Sequence, residues 1–316
     1  MTDETPIDEI AADLSSRIAG VKIAEPMSRY TTFRLGGPAA VFVEPASAED
    51  LSVVAAAVAG LKVPTMVIGR GSNLLVSDDG FAGLVLRLGK AFDWIAEAPG
   101  GLRAGGAVLI PRLANWAARR SLSGLEFCVA IPASVGGAVK MNAGAHGASM
   151  QDVVKRVRLC DLSSGALQHF DVQDLKMSYR ATSITQSSVV CEAQFALVQG
   201  ERSRVLARMD SYREHRAATQ PVEAPNAGSM FKNPEGLSAG KLIESAGLKG
   251  RRLSNAMVSD KHANFFLALD GANAQDVYDL MAHVQTTVRK SSGILLQPEV
   301  RVVGRFDTSR GQVLYS

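Results

Sequence analysis

The stretch from Gly124 to Gly147, GLEFCVAIPASVGGAVKMNAGAHG, constrains the fold more than any other part of the chain. Its five glycines and five alanines place little bulk beside the main chain, so a ligand can approach the N–H groups closely. Successive N–H groups of this kind form concavities that suit a phosphate or the polar edge of a ring. We call this stretch the second glycine loop, since a first one precedes it in the chain, and we expect it to bind a large ligand. A glycine-rich turn between buried strands is the alternative.

An upstream segment, the first glycine loop, reads GRGSN and follows a short apolar strand predicted at Thr65 to Ile68. Its two glycines and two small polar side chains favour a phosphate at this turn. A Rossmann fingerprint requires a third glycine where this chain has Leu74, followed by a helix where the sequence is strand-like. The two loops therefore fit a dinucleotide bound outside a Rossmann fold, with the diphosphate at one loop and the ring system at the other.

Other short motifs occur in one order along the chain: TTFRLGGPA at 31–39, GRGSNLLV at 69–76, MSYR at 177–180, GSMFKNP at 228–234, AGKLIESAGLKG at 239–250, VSDKHANF at 258–265 and LQPEV at 296–300. With these motifs and the second glycine loop, the sequence resembles the UDP-N-acetylenolpyruvoylglucosamine reductase family, flavoproteins of peptidoglycan precursor synthesis. No insertion separates Ile184 from Val189, so the chain is similar to the shorter form of the family.

The resemblance implies an α+β fold. We expect a two-part FAD-binding domain of the vanillyl-alcohol-oxidase (PCMH) type at residues 1–205, with subdomains near 21–90 and 91–205. A linker helix and boundary are expected at 206–227, because a basic helix ends there before the aperiodic tract QPVEAPNAG. An α+β substrate-binding domain is expected at 228–316, with its last residues free to return to the first domain.

Periodicity predicts the elements themselves. Helices are expected near 7–18, 48–61, 110–121 and 202–218, and after the capping residues Ser238 and Asn273. Three strands are expected between Val153 and Val198. On the helix near 110–121 the basic side chains Arg112, Arg119 and Arg120 are predicted to form a solvated face.

Composition excludes several classes of protein. A formal net charge of +3 is too small to indicate a nucleic-acid partner. Three cysteines without a CxxC pair argue against disulfides and against a zinc site, and they fit the reducing cytoplasm. The acidic N-terminus differs from a secretory signal, and no apolar run approaches the ~18 residues of a membrane span. We expect a cytoplasmic protein, a monomer or weak dimer, with no metal, nucleic-acid or membrane partner.

The resemblance assigns catalysis to Arg180 in MSYR, Ser229 in GSMFKNP and Glu299 in LQPEV. Taken singly, each has a structural alternative: a surface charge, a turn residue after a glycine, and the solvent end of a strand. The implied reaction is the NADPH-dependent reduction, through non-covalent FAD, of the enolpyruvyl group of UDP-N-acetylglucosamine-enolpyruvate to UDP-N-acetylmuramate.

Each implied role has a chemical reason. Addition of hydride places negative charge beside the substrate carboxylate, and a guanidinium such as that of Arg180 grips carboxylates in a fork. Ser229 would deliver the proton that completes reduction. Glu299 is expected to be protonated or held by Arg180, and to orient a hydrogen bond.

The resemblance also implies binding residues. The cofactor contacts are expected from the two glycine loops: Gly69, Arg70, Gly71, Ser72, Asn73, Ile131, Pro132, Gly136, Gly137, Asn142, Ala143 and Gly144. Tyr179, Lys232 and Asn264 are assigned to the substrate. Lys232 is preferred at the diphosphate because an ammonium binds phosphate as a point charge.

Two other functions stay open at this point. One is a different flavin oxidoreductase, with its flavin bound covalently through His146 or Cys128. The other is a sugar-nucleotide-binding protein without redox chemistry, in which the glycine loops hold UDP. The colour of the purified protein, or its failure to take up FAD, separates the second from the rest.

Overall fold

The structure is a computed structural model that describes residues 6–59 and 63–315. These residues form seven α-helices: α1 (Pro6–Arg17), α2 (Ala48–Val58), α3 (Ile110–Ala118), α4 (Val135–Lys140), α5 (Arg202–Thr219), α6 (Ala239–Ser245) and α7 (Ala274–Ser292). They also form eighteen strands: β1 (Val21–Pro26), β2 (Pro38–Val43), β3 (Thr65–Ile68), β4 (Leu74–Val76), β5 (Phe81–Arg87), β6 (Ile95–Ala98), β7 (Gly101–Gly105), β8 (Leu122–Ser123), β9 (Gly144–Ala145), β10 (Ala148–Ser149), β11 (Val154–Asp161), β12 (Leu167–Asp171), β13 (Ser188–Ala196), β14 (Val198–Gln199), β15 (Arg252–Leu253), β16 (Ala256–Val258), β17 (Phe266–Ala268) and β18 (Arg301–Val303). The mixture confirms the predicted α+β class.

The described residues divide into two compact units. The first unit comprises 6–24, 40–59, 63–70 and 83–215, and the second comprises 25–39, 71–82 and 216–315. The units differ from the continuous domains expected from the sequence, since two early segments belong to the second unit and the division falls within α5. The reason is packing: Phe33 and Leu75, one from each early segment, lie in the core of the second unit.

The first unit contains two larger sheets, besides the two-stranded pairs β8 with β14 and β9 with β10. One of the larger sheets has four strands in the order β1-β2-β5-β3, with β3 parallel to β5 and Thr65 opposite Leu84. The core beside this sheet includes Leu14 of α1 and Val54 of α2. Helix α2 begins at Ser47, whose hydroxyl accepts a hydrogen bond of 3.0 Å from the N–H of Asp50, and it ends at Val58, before the predicted end. The predicted last residue, Leu61, lies outside the described residues.

The other larger sheet of the first unit has five strands in the order β12-β11-β13-β7-β6, and all its pairs are antiparallel. Its members β11, β12 and β13 confirm the three strands predicted between Val153 and Val198. Helices α3 and α4 share the core that covers this sheet, in which Leu113, Val139 and Phe195 are buried.

In the second unit, α7 packs over small sheets. Three strands follow the order β15-β16-β17, and β4 pairs with β18 in parallel. Helix α7 begins as predicted at Asn273, which accepts a 2.8 Å hydrogen bond from the N–H of Asp276. Asp78 reinforces this start, because its carboxylate accepts from the N–H groups of Ala274 and Gln275 at 3.0 and 3.1 Å.

The described residues lack a membrane-spanning helix and a metal-binding group of side chains. Every helix within 6–59 and 63–315 is too short or too polar to cross a lipid bilayer. Within the same ranges, no three His, Cys, Asp or Glu side chains are grouped so as to hold a metal ion.

Candidate active site

The two glycine loops meet in the first unit, at a cavity of about 340 Å³. Gly69 and Arg70 line it from the first loop, and Gly136 and Gly137 line it from the second. The loops approach so closely that a Cβ at position 69 would lie 2.2 Å from Oγ of Ser134. Glycine is therefore required at position 69 for steric reasons, and four of the predicted cofactor residues share one cavity wall.

Ser134 was not predicted, yet it organises the second loop. Its hydroxyl accepts a hydrogen bond of 3.3 Å from the N–H of Gly137 and so caps α4. The N–H of Gly136 donates to the carbonyl of Gly106 at 2.9 Å. The sequence signal that could have identified Ser134 is its position directly before a short helical stretch. In place of the alternative turn between buried strands, the loop contains a 3₁₀-helix (Glu126–Ala130) and α4.

Basic side chains dominate the charge around the cavity. Five line it, against two carboxylates: Arg70, Arg87, Lys90, Arg112 and Lys140, with Glu44 and Asp93. Two of the arginines pair with the acids, Arg87 with Glu44 at 3.5 Å and Arg112 with Asp93 at 2.5 Å. The remaining excess of positive charge, beside glycine main chain, suits a diphosphate.

Arg112 lies on the solvated face of α3, as periodicity predicts, since the residue is exposed. It also lines the cavity, where it pairs with Asp93. Helical spacing identifies the side of the helix that faces away from the core. It does not show that the Asp93 segment lies against that side.

Asn142 links the second loop to the MSYR motif. Its side chain is buried, and Nδ2 donates to the carbonyl of Ser178 at 2.8 Å and to Oε1 of Gln151 at 3.1 Å. Its Oδ1 accepts from the N–H of Gln151 at 3.0 Å. The amide is therefore occupied in holding the backbone that leads into Tyr179 and Arg180.

Arg180 lies at the end of the second loop. One of its terminal nitrogens, Nη2, donates to the carbonyl of Gly144 at 3.1 Å, and its guanidinium lies 5.1 Å from the centre of the Tyr179 ring. The backbone of Arg180 has a φ of +55°, which is uncommon for a residue with a side chain and is typical of functional positions. Tyr179 is 53% exposed. The structure thus brings Arg180, Tyr179 and the predicted cofactor residue Gly144 together.

The other eight predicted cofactor residues, among them Asn142 and Gly144, do not line this cavity. Ile131 and Ala143 pack against the core of the first unit, and Pro132 is exposed. Their contact with the cofactor stays a prediction. From the first loop, Gly71 and Ser72 belong to the second unit, where a Cβ at position 71 would lie 1.9 Å from the carbonyl oxygen of Tyr30.

In the second unit the structure pairs the main chain of the segment that carries Ser229 with the segment that carries Glu299. The N–H of Glu299 donates to the carbonyl of Met230 at 2.8 Å, and Phe231 forms a β-bridge with Pro298. On the other side, Ser229 forms a β-bridge with Phe265. Ser229 therefore lies on a central extended segment between the segments that carry VSDKHANF and LQPEV.

Lys232 and Asn264 have different surroundings. Lys232 is half-buried, and its N–H donates to the carbonyl of Gln297 at 2.8 Å. Asn264 is 2% exposed, its Oδ1 accepts from the N–H of Phe231 at 3.0 Å, and its Nδ2 donates to the carbonyl of Phe231 at 2.8 Å. The side chain of Asn264 is thus occupied by the Ser229 segment, because a buried amide needs these partners. This differs from the substrate contact expected from the sequence.

The two residues considered for a covalent flavin link have unlike environments. Cys128 is fully buried, and burial with the charge of Glu126 raises the pKa of its thiol well above the usual range, so the nucleophilic thiolate is disfavoured. His146 is exposed and stacks on Tyr212 at a centroid distance of 3.9 Å. Although the residue is exposed, partial burial of its ring and the neighbouring His215 lower the pKa of His146.

Comparisons with known proteins agree with this geometry. The C-terminal domain of UDP-N-acetylenolpyruvoylglucosamine reductase matches residues 220–303, and an FAD-binding domain matches residues 39–171. The chain is 43% identical over 285 residues to UDP-N-acetylenolpyruvoylglucosamine reductase 2 of Symbiobacterium thermophilum, with 90% of this chain and 92% of that protein covered. It is 41% identical over 298 residues to the UDP-N-acetylenolpyruvoylglucosamine reductase of Carboxydothermus hydrogenoformans, with 94% of this chain and 98% of that protein covered.

A solved structure is similar along the same length. The crystal structure of UDP-N-acetylenolpyruvylglucosamine reductase (MurB) from Thermus caldophilus matches with a TM-score of 0.77 and 34% sequence identity, over 90% of this chain and 98% of that chain. Both the order of the domains and the full-length relatives confirm the resemblance read from the motifs. This chain belongs to the UDP-N-acetylenolpyruvoylglucosamine reductase family.

Proposed function

We propose that this chain reduces the enolpyruvyl group of UDP-N-acetylglucosamine-enolpyruvate to UDP-N-acetylmuramate with NADPH, and that Arg180, Ser229 and Glu299 perform the chemistry. The observation that carries the proposal is the main-chain pairing of the segments that carry Ser229 and Glu299, with a 2.8 Å hydrogen bond from the N–H of Glu299 to the carbonyl of Met230. A hydroxyl that delivers a proton needs a polar neighbour to resupply it, and we propose the carboxyl group of Glu299 for this role.

The cavity of the first unit fits the diphosphate of FAD. Gly69, Gly136 and Gly137 offer main chain without side-chain bulk, and the surrounding basic side chains compensate phosphate charge. Arg70 and Lys90 supply cations on the same lining. FAD held here would supply the transfer of a hydride from NADPH to the terminal carbon of the enolpyruvyl group.

Arg180 stabilises the charge that develops on the substrate. When the terminal carbon gains a hydride, the electron pair of the double bond moves onto the adjacent carbon and into the carboxylate. A guanidinium is always charged and binds a carboxylate through two parallel N–H groups. The hydrogen bond from Arg180 to Gly144 limits the motion of its guanidinium, so less reorganisation is needed during the reaction.

Ser229 donates the proton that completes the reduction. The proton passes from its Oγ to the carbon next to the carboxylate, and the resulting alkoxide is reprotonated through a neighbour or water. A hydroxyl is a weak acid, so the alignment of Oγ with that carbon must be close. The two β-type contacts on either side of the Ser229 segment hold its main chain, which supports this proposal.

Glu299 supports this proton transfer rather than binding the substrate carboxylate directly. An ionised Glu299 would repel that carboxylate, so we propose that it is protonated or held by a cation when the substrate is bound. The hydrogen bond from its N–H to the carbonyl of Met230 holds the main chain from which this side chain leaves.

The remaining residues are proposed to bind the substrate or to position other groups of the site. Lys232 is proposed to bind the diphosphate of the sugar nucleotide, and Tyr179 to contact the substrate. Asn264 is proposed to position the Ser229 segment, since both ends of its amide hold Phe231. We also propose a cytoplasmic location, which the three free buried cysteines support, and a monomer or weak dimer, which gel filtration tests.

The test separates the two half-reactions under anaerobic conditions. Ser229→Ala should leave reduction of the bound FAD by NADPH unchanged and slow its reoxidation by the enolpyruvyl substrate by about 10²- to 10⁴-fold. Ser291→Ala, an exposed serine on α7, is the matched control and should change neither rate. Equal loss in both half-reactions would contradict the assignment, and a protein that takes up no FAD would favour sugar-nucleotide binding without redox chemistry.

A further inference from the structure

Asn73 belongs to the first glycine loop, but its side chain contacts the segment that carries Glu299. Nδ2 of Asn73 donates a hydrogen bond of 3.0 Å to the carbonyl oxygen of Glu299. The carbonyl of Asn73 accepts from the N–H of Arg301, also at 3.0 Å. β4 begins at the next residue and runs parallel to β18, with Leu74 opposite Arg301. Asn73 therefore holds the main chain on both sides of Val300.

Both polar main-chain groups of Glu299 are fixed by this arrangement. Its N–H donates to Met230, the neighbour of Ser229, and its carbonyl accepts from Asn73. Val300 is 2% exposed and anchors the same segment in the core of the second unit. Because the N–H and the carbonyl of Glu299 are both held, the contact with Asn73 helps to fix the main-chain position from which the Glu299 side chain leaves.

We propose that Asn73 is a positioning residue for Glu299, a role that rests on the function proposed for that carboxyl group. Asparagine suits the position because it offers an N–H₂ donor at the length required. Aspartate would place a carboxylate oxygen against the carbonyl of Glu299, and alanine would leave that carbonyl without its donor. The sequence predicts instead that Asn73 holds the cofactor. In that case the Asn73 variants would lose FAD binding, so experiment can separate the two roles.

The kinetic test combines Asn73→Asp and Asn73→Ala with Glu299→Gln. Each Asn73 variant should bind FAD normally and be reduced by NADPH at the normal rate. Reoxidation by the enolpyruvyl substrate should slow by about 10- to 100-fold, as expected when a reacting group is misplaced. The double variant Asn73→Asp/Glu299→Gln should be no slower than Glu299→Gln alone, because the two residues act through one group.

Amide hydrogen exchange of the apoprotein supplies a readout independent of activity. Asn73→Ala should accelerate exchange in the peptide that spans residues 297–301. The matched control is Asn255→Ala, which removes a similar bond from Nδ2 to the carbonyl of Gly271 at 3.3 Å and should leave that peptide unchanged.

Three results overturn the proposal: loss of FAD binding in both Asn73 variants, multiplicative effects in the double variant, or unchanged exchange at residues 297–301. If Glu299→Gln alone leaves reoxidation unchanged, the catalytic role of Glu299 fails. The exchange comparison then still decides whether Asn73 fixes this segment.

Discussion

The contact between the two glycine loops makes a quantitative prediction for Gly69→Ala. The new methyl group would lie 2.2 Å from Oγ and 3.3 Å from Cβ of Ser134. Rotation of the serine hydroxyl relieves the first contact but removes the cap of α4, at a cost of about 1 kcal/mol. The second contact requires a backbone shift, and overpacking of this kind costs about 1–3 kcal/mol. We expect Gly69→Ala to lower the free energy of unfolding by about 2–4 kcal/mol.

The magnitude can be tested with a double-mutant cycle. Ser134→Ala alone loses only the cap, so it should cost about 1 kcal/mol. In the double variant the hydroxyl is gone but Cβ of residue 134 remains, so the cap is lost only once and the total cost should lie about 1 kcal/mol below the sum of the single costs. Urea denaturation of the FAD-free protein measures all three variants. If the single costs add to within about 0.5 kcal/mol, the two loops do not contact each other as described.

The other predictions concern charge, pH and capping. Arg180→Lys keeps the charge but loses the fork, so reoxidation by the enolpyruvyl substrate should slow at least about tenfold, whereas Arg156→Lys on the exposed pair with Asp171 should not change it. Burial lowers the pKa of His262, and its Nδ1 accepts from the N–H of Asn264 at 3.2 Å. Stability should therefore fall as pH drops below about 6.5, because the unfolded state binds the proton first, and His262→Gln should reduce this slope in denaturation measured between about pH 7 and pH 5. Asn273→Ala should cost about 1 kcal/mol in thermal unfolding through loss of the α7 cap, and no change would refute that cap.

Local sequence was sufficient to predict much of this protein. Two glycine loops, each lacking bulk in a way that suits close approach of a ligand, indicated the cofactor region. The elements with strong periodicity, such as α5 and the three strands β11, β12 and β13, are found close to their predicted bounds. Capping residues such as Ser238 and Asn273 fixed helix starts, because a cap acts on the N–H groups two or three residues away.

Tertiary structure decided which side chains share a site. Asn73 and Glu299 are 226 residues apart, and nothing in either segment indicates that an amide meets a carbonyl there. Arg112 is exposed, as periodicity predicts, but only the fold shows that it also lines the cavity. The resemblance assigns Asn264 to the substrate, whereas the folded chain shows its side chain holding the backbone of Phe231. Periodicity reports how a segment faces its own core, whereas these contacts depend on distant segments that only the folded chain brings together.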